Sequence, residues 1–313
     1  MIEKKDWPAL IAGLRQTLLE YATAKSAKEK AADPTAVLER RAAIENALSA
    51  MDKLNLNPNM SDQEFWKAIA TKPFYTGHKS SVVGPKDNYM LTAYLSDWEA
   101  LCEPEWEKGG SRYEEFRTDP KCYSNMRDLD KVIYAARTIK RQKGFLNRSM
   151  MAHVLRQQKD PSSREALIQA HSTIEAYFNF KDGIATAFHA MTDLGFKVVK
   201  PDRFVVRIAI NMGLIEHYTQ NGVRKPVGRP ITSDEAVVIG RNIDFCWALQ
   251  DRFREISEET NTSLRSLDYI FSKLGQQPDP KAGFVRTICT EENPSCNLCG
   301  AKPFCAEAKR LKR

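Results

Sequence analysis

Cys289-Thr-Glu-Glu-Asn-Pro-Ser-Cys296-Asn-Leu-Cys299-Gly-Ala-Lys-Pro-Phe-Cys305 gathers four thiols into seventeen residues, spaced C-x6-C-x2-C-x5-C. Only three other cysteines occur in the 313-residue chain, at Cys102, Cys122 and Cys246. Four thiolates in one short loop can converge on one inorganic centre. Soft sulfur ligands select zinc or an iron–sulfur cluster over oxygen-loving cations. Zinc sites pair their ligands as two C-x2-4-C knuckles. Here only Cys296 and Cys299 form such a knuckle, and the outer cysteines stand six and five residues away. The wider loop suits the girth of a cubane cluster, with zinc as the alternative.

Working outward from the loop, the opposite end begins Met1-Ile2-Glu3-Lys4-Lys5-Asp6 and passes into a polar helix with no apolar leader. The expectation is a cytoplasmic chain whose thiols stay reduced and bind metal rather than pair. At 42% hydrophobic and 28% charged residues, the composition fits a soluble globular protein. Its length allows one large core or two smaller ones. No apolar run approaches the ~18 residues of a membrane span. The net charge of +7 favours a polyanionic partner, because cations set against phosphates release counterions. The charge is uneven: residues 137–143 carry four cations and no acid, and residues 309–313 carry four in five positions. Lys197, Lys200, Arg203 and Arg207 surround one aspartate, Asp202.

Between these clusters the apolar spacing is helical almost throughout. Leu10, Ile11, Leu14, Leu18 and Tyr21 predict a helix over 8–24, and Pro34 opens another that runs to Leu54. Ser61 with Glu64 makes a capping box. Further helices are expected at 128–141, 149–158, 162–178, 183–194, 202–213, 232–257 and 263–274. Segments 73–88 and 103–125 read as turns, and no alternating run supports a sheet.

Two further stretches carry chemistry. Phe180-Lys-Asp-Gly-Ile-Ala-Thr-Ala187 precedes Val199-Lys-Pro-Asp-Arg-Phe-Val-Val-Arg207, with nineteen residues from Gly183 to Asp202. With the cysteine spacing, these resemble the helix-hairpin-helix DNA glycosylase superfamily of the endonuclease III and MutY type, over residues 60–313. The resemblance implies an all-α, two-lobed helical bundle with a C-terminal [4Fe-4S] loop. It divides the chain into an N-terminal helical extension (1–60), a glycosylase core (61–283) with a hairpin at 180–187 and an aspartate helix at 201–213, and a cluster loop with basic tail (284–313). Cys289, Cys296, Cys299 and Cys305 become the cluster ligands and Asp202 the catalytic carboxylate. Lys181, Gly183, Thr186, Lys200 and Arg203 become DNA contacts.

A carboxylate beside the anomeric carbon stabilises the oxocarbenium-like sugar, or activates water, as the N-glycosidic bond breaks. Read without the resemblance, Asp202 simply caps a helix after Pro201. The sequence departs from the family at two points. Ala185 stands where glycosylase–lyases carry their Schiff-base lysine, which implies a monofunctional enzyme that leaves an abasic site. Lys181 replaces the first glycine of the Gly-x-Gly hairpin, which weakens the expected backbone grip on phosphate. Tyr94, Trp98 and Trp106 could stack on a base, though aromatics at helical spacing are more often core. Arg286, Lys302 and the tail could meet the DNA backbone. The expected partner is double-stranded DNA, bound by a monomer. The substrate is a damaged or modified base, including bulky modified bases of phage DNA, in repair or in defence. The alternative is a non-catalytic iron–sulfur DNA-binding protein on the same scaffold.

Overall fold

Trp7, Leu10, Ile11, Leu14 and Leu18 form the buried stripe of a helix at Trp7–Glu20 in the structure, a computed structural model. The structure describes residues 2–75, 80–123, 125–178 and 184–312. Most of these are helical, as the apolar periodicity predicts. None of the described helices is long and apolar enough to cross a membrane. The chain divides into two compact units, Met1–Leu54 with Lys197–Arg313, and Asn55–Phe196.

The first unit joins the two ends of the chain. Its Trp7–Glu20 helix packs on helices Pro34–Lys53, Ile243–Thr260 and Leu264–Gly275. Asp33 caps the Pro34–Lys53 helix by accepting from Ala36 N, and Ile44 and Leu48 are buried beneath it. Residues 2–54, read from the sequence as part of an N-terminal extension (1–60), pack within this unit. Their apolar stripes need a cover, and helices from the C-terminal third supply it. Helix Arg203–Met212 lies against Leu264–Gly275, and Gly275 permits the approach: a Cβ there would stand 3.0 Å from Ile208 Cδ1 and 3.1 Å from Phe204.

Two local expectations also change in this unit. The helix expected over 232–257 is interrupted, giving Ser233–Ile239 and Ile243–Thr260, because Asn242 restarts it by accepting from Phe245 N. A two-stranded hairpin pairs His217–Gln220 with Val223–Pro226, with Gln220 opposite Val223. Its turn is Asn221-Gly222, at φ 51 and 76, and positive φ at both central residues is what this dipeptide favours.

The second unit is built on helices Asp62–Ile69, Met126–Leu146, Met150–Leu155, Arg164–Phe178 and Ile184–Asp193. The capping box of Ser61 and Glu64 forms as expected. Phe65, Trp66, Phe74, Phe116, Phe178 and Phe188 fill the core. Both turn-rich segments contain helices, Ser80–Met90 around Pro85 and Ser111–Thr118. Tertiary bonds override the breakers there: the Tyr75 hydroxyl donates to Asp87 at 2.7 Å and the Tyr89 hydroxyl to Asp119 at 2.8 Å.

Candidate active site and metal centre

The backbone leading to Asp202 is pinned from two helices. Buried Gln250 accepts from Val199 N at 2.9 Å and donates to Val199 O at 2.8 Å. Asp268 accepts from Lys200 N at 2.7 Å. Asp202 then caps helix Arg203–Met212, its Oδ1 accepting from Phe204 N and Val205 N, each at 2.9 Å. Oδ2 is left facing the Lys200 ammonium at 3.4 Å and the Ser272 hydroxyl at 3.4 Å. The Asp202 side chain is 18% exposed, so this second oxygen sits at a partly open surface rather than in a sealed core.

The carboxylate has charged company. Burial pushes the Asp268 carboxyl up to about 6; the Asp202 charge adds to the rise, while Lys200 and Arg265 oppose it. Burial lowers the Lys273 amine from its ordinary value, and the Lys200 charge adds to that, against Asp279 and Asp202. Arg203 lies over the Phe204 ring at 5.0 Å. One carboxylate oxygen, two ammonium groups and a hydroxyl thus share a small region. Such a set can stabilise a developing cation while holding an adjoining anion.

Asp268, Ser272 and Lys273 were not singled out from the sequence. Their signal lies in Leu264–Gly275, where Asp268 and Ser272 stand one helical turn apart among Leu264, Leu267, Ile270, Phe271 and Leu274, all buried. Polar residues on a core-facing stripe mark a site or a buried bond.

The same Arg203–Met212 helix carries Arg207 inward. Arg207 is 2% exposed and donates from Nη2 to Cys289 O at 2.6 Å. Cys289, Cys296, Cys299 and Cys305 line one cavity of about 150 Å³, together with Arg207, Thr290 and Leu14. All seven cysteines of the chain are free, and the four of the loop share this lining. Among the described residues no group of three or more His, Cys, Asp or Glu side chains is placed to hold a metal ion. Burial raises the Cys289 thiol to about 12, against the Arg207 charge. Burial also raises Cys299 and Cys305. The hydrogen bond from Ala301 N–H to Cys299 works the other way, as do those from Ala308 and Glu307 N–H to Cys305. Two polar atoms at the cavity are buried without a partner, Arg207 Nε and Thr290 Oγ1. The lining thus offers soft sulfur donors, N–H groups aimed at Cys299 and Cys305, a buried guanidinium and the idle Thr290 hydroxyl, a donor set of the kind that soft metal centres use.

The N-terminal helix holds this loop. Gly13 and Gly300 meet backbone to backbone: a Cβ on Gly13 would stand 2.6 Å from Gly300 O, and one on Gly300 2.5 Å from Gly13 O. Thr17 Oγ1 accepts from Gly300 N at 2.8 Å and donates to Gly13 O at 2.7 Å. Arg286, considered for DNA contact, donates from Nε to Tyr21 O at 2.5 Å and so ties the loop to the end of the first helix instead.

Of the expected hairpin contacts, Lys181 and Gly183 lie outside the described residues. Thr186 is 7% exposed in the first turn of Ile184–Asp193, so its side chain is packed and offers no open face to a phosphate. Tyr94, Trp98 and Trp106 are buried, and Tyr94 sets its ring edge-on to Trp106 and Phe116; they are core, not a stacking platform. Comparison with protein-family models, with curated proteins and with solved structures found no match to this chain.

Proposed function

We propose that the chain is a monofunctional DNA glycosylase, with Asp202 as its catalytic carboxylate and a [4Fe-4S] cluster held by Cys289, Cys296, Cys299 and Cys305. The observation that carries this reading is the division of labour at Asp202. Oδ1 is fixed by two backbone N–H groups, and Oδ2 is free of the cap beside Lys200 and Ser272. A carboxylate whose orientation is set by one oxygen presents the other without reorganisation, the condition for stabilising a developing oxocarbenium ion. Lys200, Lys273 and Arg203 offer positive charge to the phosphates flanking the excised nucleotide. Ala185 in place of the lyase lysine supports water, rather than an amine, as nucleophile. A bound cluster supplies folding free energy to the loop that braces this helix through Arg207.

The test is base release. Duplexes bearing candidate lesions, and genomic DNAs with bulky modified bases, are incubated with the protein. Free bases are then read by mass spectrometry, and abasic sites by alkali-induced breaks. Asp202→Asn is the informative variant, since asparagine caps a helix as well as aspartate does. It is expected to keep DNA affinity and thermal stability while base release falls at least 100-fold. Tight duplex binding by wild type with no base released from any substrate would favour a non-catalytic DNA-binding role. A brown preparation with stoichiometric iron and sulfide is expected, and zinc in their place removes the cluster from the proposal.

A further inference from the structure

Helices Met126–Leu146, Met150–Leu155 and Arg164–Phe178 line a second cavity, open to solvent and of about 760 Å³, wholly within the unit Asn55–Phe196. Its size falls in the range of small-molecule sites. Tyr134, Phe145 and Tyr177 bring three aromatic rings to its wall, and Arg141 and Arg156 bring two guanidinium groups, with no carboxylate among the described lining residues. Two of the rings are held out to solvent: Phe145 is 86% exposed and Tyr134 42%.

The cations are selectively placed. Of the four basic side chains in residues 137–143, three meet carboxylates: Arg137 with Glu107 at 3.7 Å, Lys140 with Glu103 at 3.5 Å and Lys143 with Asp62 at 2.7 Å. Arg141 instead donates to Thr138 Oγ1 at 3.3 Å, on the cavity wall. Arg156 occupies the left-handed region at φ 44, followed by Gln157 at φ 59. This conformation closes helix Met150–Leu155, the Arg156 N–H donating to His153 O, and the side chain stands exposed at the cavity. No carboxylate partner for Arg156 is found among the described residues. At the cavity floor the buried Tyr177 hydroxyl shares a hydrogen bond with His153 Nδ1, and the Tyr177 ring packs edge-on to Phe65.

We propose that this cavity binds a nucleotide, its base stacked on Phe145, its phosphate held by Arg156 and by Arg141 one helical turn from Phe145, and the base edge turned to the Tyr177–His153 pair. Aromatic faces accept any base, and guanidinium forks match phosphate oxygens. A simple inorganic anion would use the arginines and leave the exposed Phe145 ring without a role. The nucleotide could be free, or one unit of a single strand. The site lies apart from Asp202 in sequence and unit, so the proposal does not rest on base excision.

Isothermal titration of the full-length protein with dAMP, and separately with a short single-stranded oligodeoxynucleotide, distinguishes the sources. Saturable binding of dAMP identifies a free nucleotide, and binding of the oligonucleotide alone identifies a strand. In either case the double variant Arg141→Glu, Arg156→Glu should weaken binding at least tenfold, and Phe145→Ala about tenfold through lost stacking. These side chains are exposed, so an unchanged thermal melt is expected and separates lost binding from lost folding. Absence of saturable binding to both probes, or equal binding by wild type and the double variant, overturns the proposal. Base release is read independently, so either reading can fail alone.

Discussion

At the scale of single residues, Asp268 sets the pH behaviour of the Asp202 region. Its folded-state value of about 6 lies above the ordinary carboxylate range, so the native protein holds that proton more tightly than the unfolded chain does. The sign follows: this group's contribution is most favourable below about pH 4 and declines as pH rises to about 6, by on the order of 2–3 kcal/mol. Asp268→Asn keeps an acceptor for Lys200 N and removes the charge. The urea midpoint of the variant should therefore gain on wild type between pH 4 and pH 6, and a difference that stays flat across that window contradicts the assignment. The lysines give a second test at this scale. With Ala185 in the lyase slot, borohydride is expected to trap no protein–DNA adduct during base release. An adduct lost in Lys200→Ala or Lys273→Ala would instead make one of those amines, both close in charge to Asp202, a nucleophile.

At the scale of elements, Gly13 is the informative position. Alanine on an unobstructed helix face stabilises by about 0.5–1 kcal/mol over glycine. Here the added Cβ meets the Gly300 backbone, which cannot swing aside as a side-chain tip can. Gly13→Ala is thus expected to cost about 1–3 kcal/mol and to lower bound iron, measured by melting and by metal analysis. Equal or higher stability would show that the helix and the loop are not in contact.

Much at this scale was legible beforehand. The cap at Ser61 is local chemistry, and the apolar stripe of Trp7–Glu20 is local periodicity. That the four loop cysteines line one cavity follows from their crowding in sequence. The hairpin at 217–226 did not emerge because its strands are largely exposed and lack apolar alternation, leaving Asn221-Gly222 as its one signal. Asp268 and Lys273 escaped because what matters is their nearness to Asp202, across more than sixty residues of chain. Gly13 and Gly300 escaped for the same reason: a glycine required by a distant backbone looks like any other.

At the scale of the whole molecule, the first unit draws its core from both ends of the sequence. Removing residues 1–54 should therefore do more than trim a surface. It uncovers the faces that Trp7, Leu14, Leu18, Ile44 and Leu48 seal. The shortened chain is expected to lose cooperative melting of this unit and to come out of expression insoluble. A truncated protein with the wild-type melt by circular dichroism would restore the view of these residues as an appendage.

That arrangement also fixes an order of events on the ribosome. The middle segment, 55–196, emerges as one continuous stretch and can complete its interior while translation proceeds. The opening helix has no such freedom, because Thr17 and Gly13 find their partner only when Gly300 has been synthesised. At cellular elongation speeds that is a delay on the order of tens of seconds. Throughout it a greasy helical face stands uncovered, a natural client for chaperones, and the thiol-bearing loop is the last piece to lock into place.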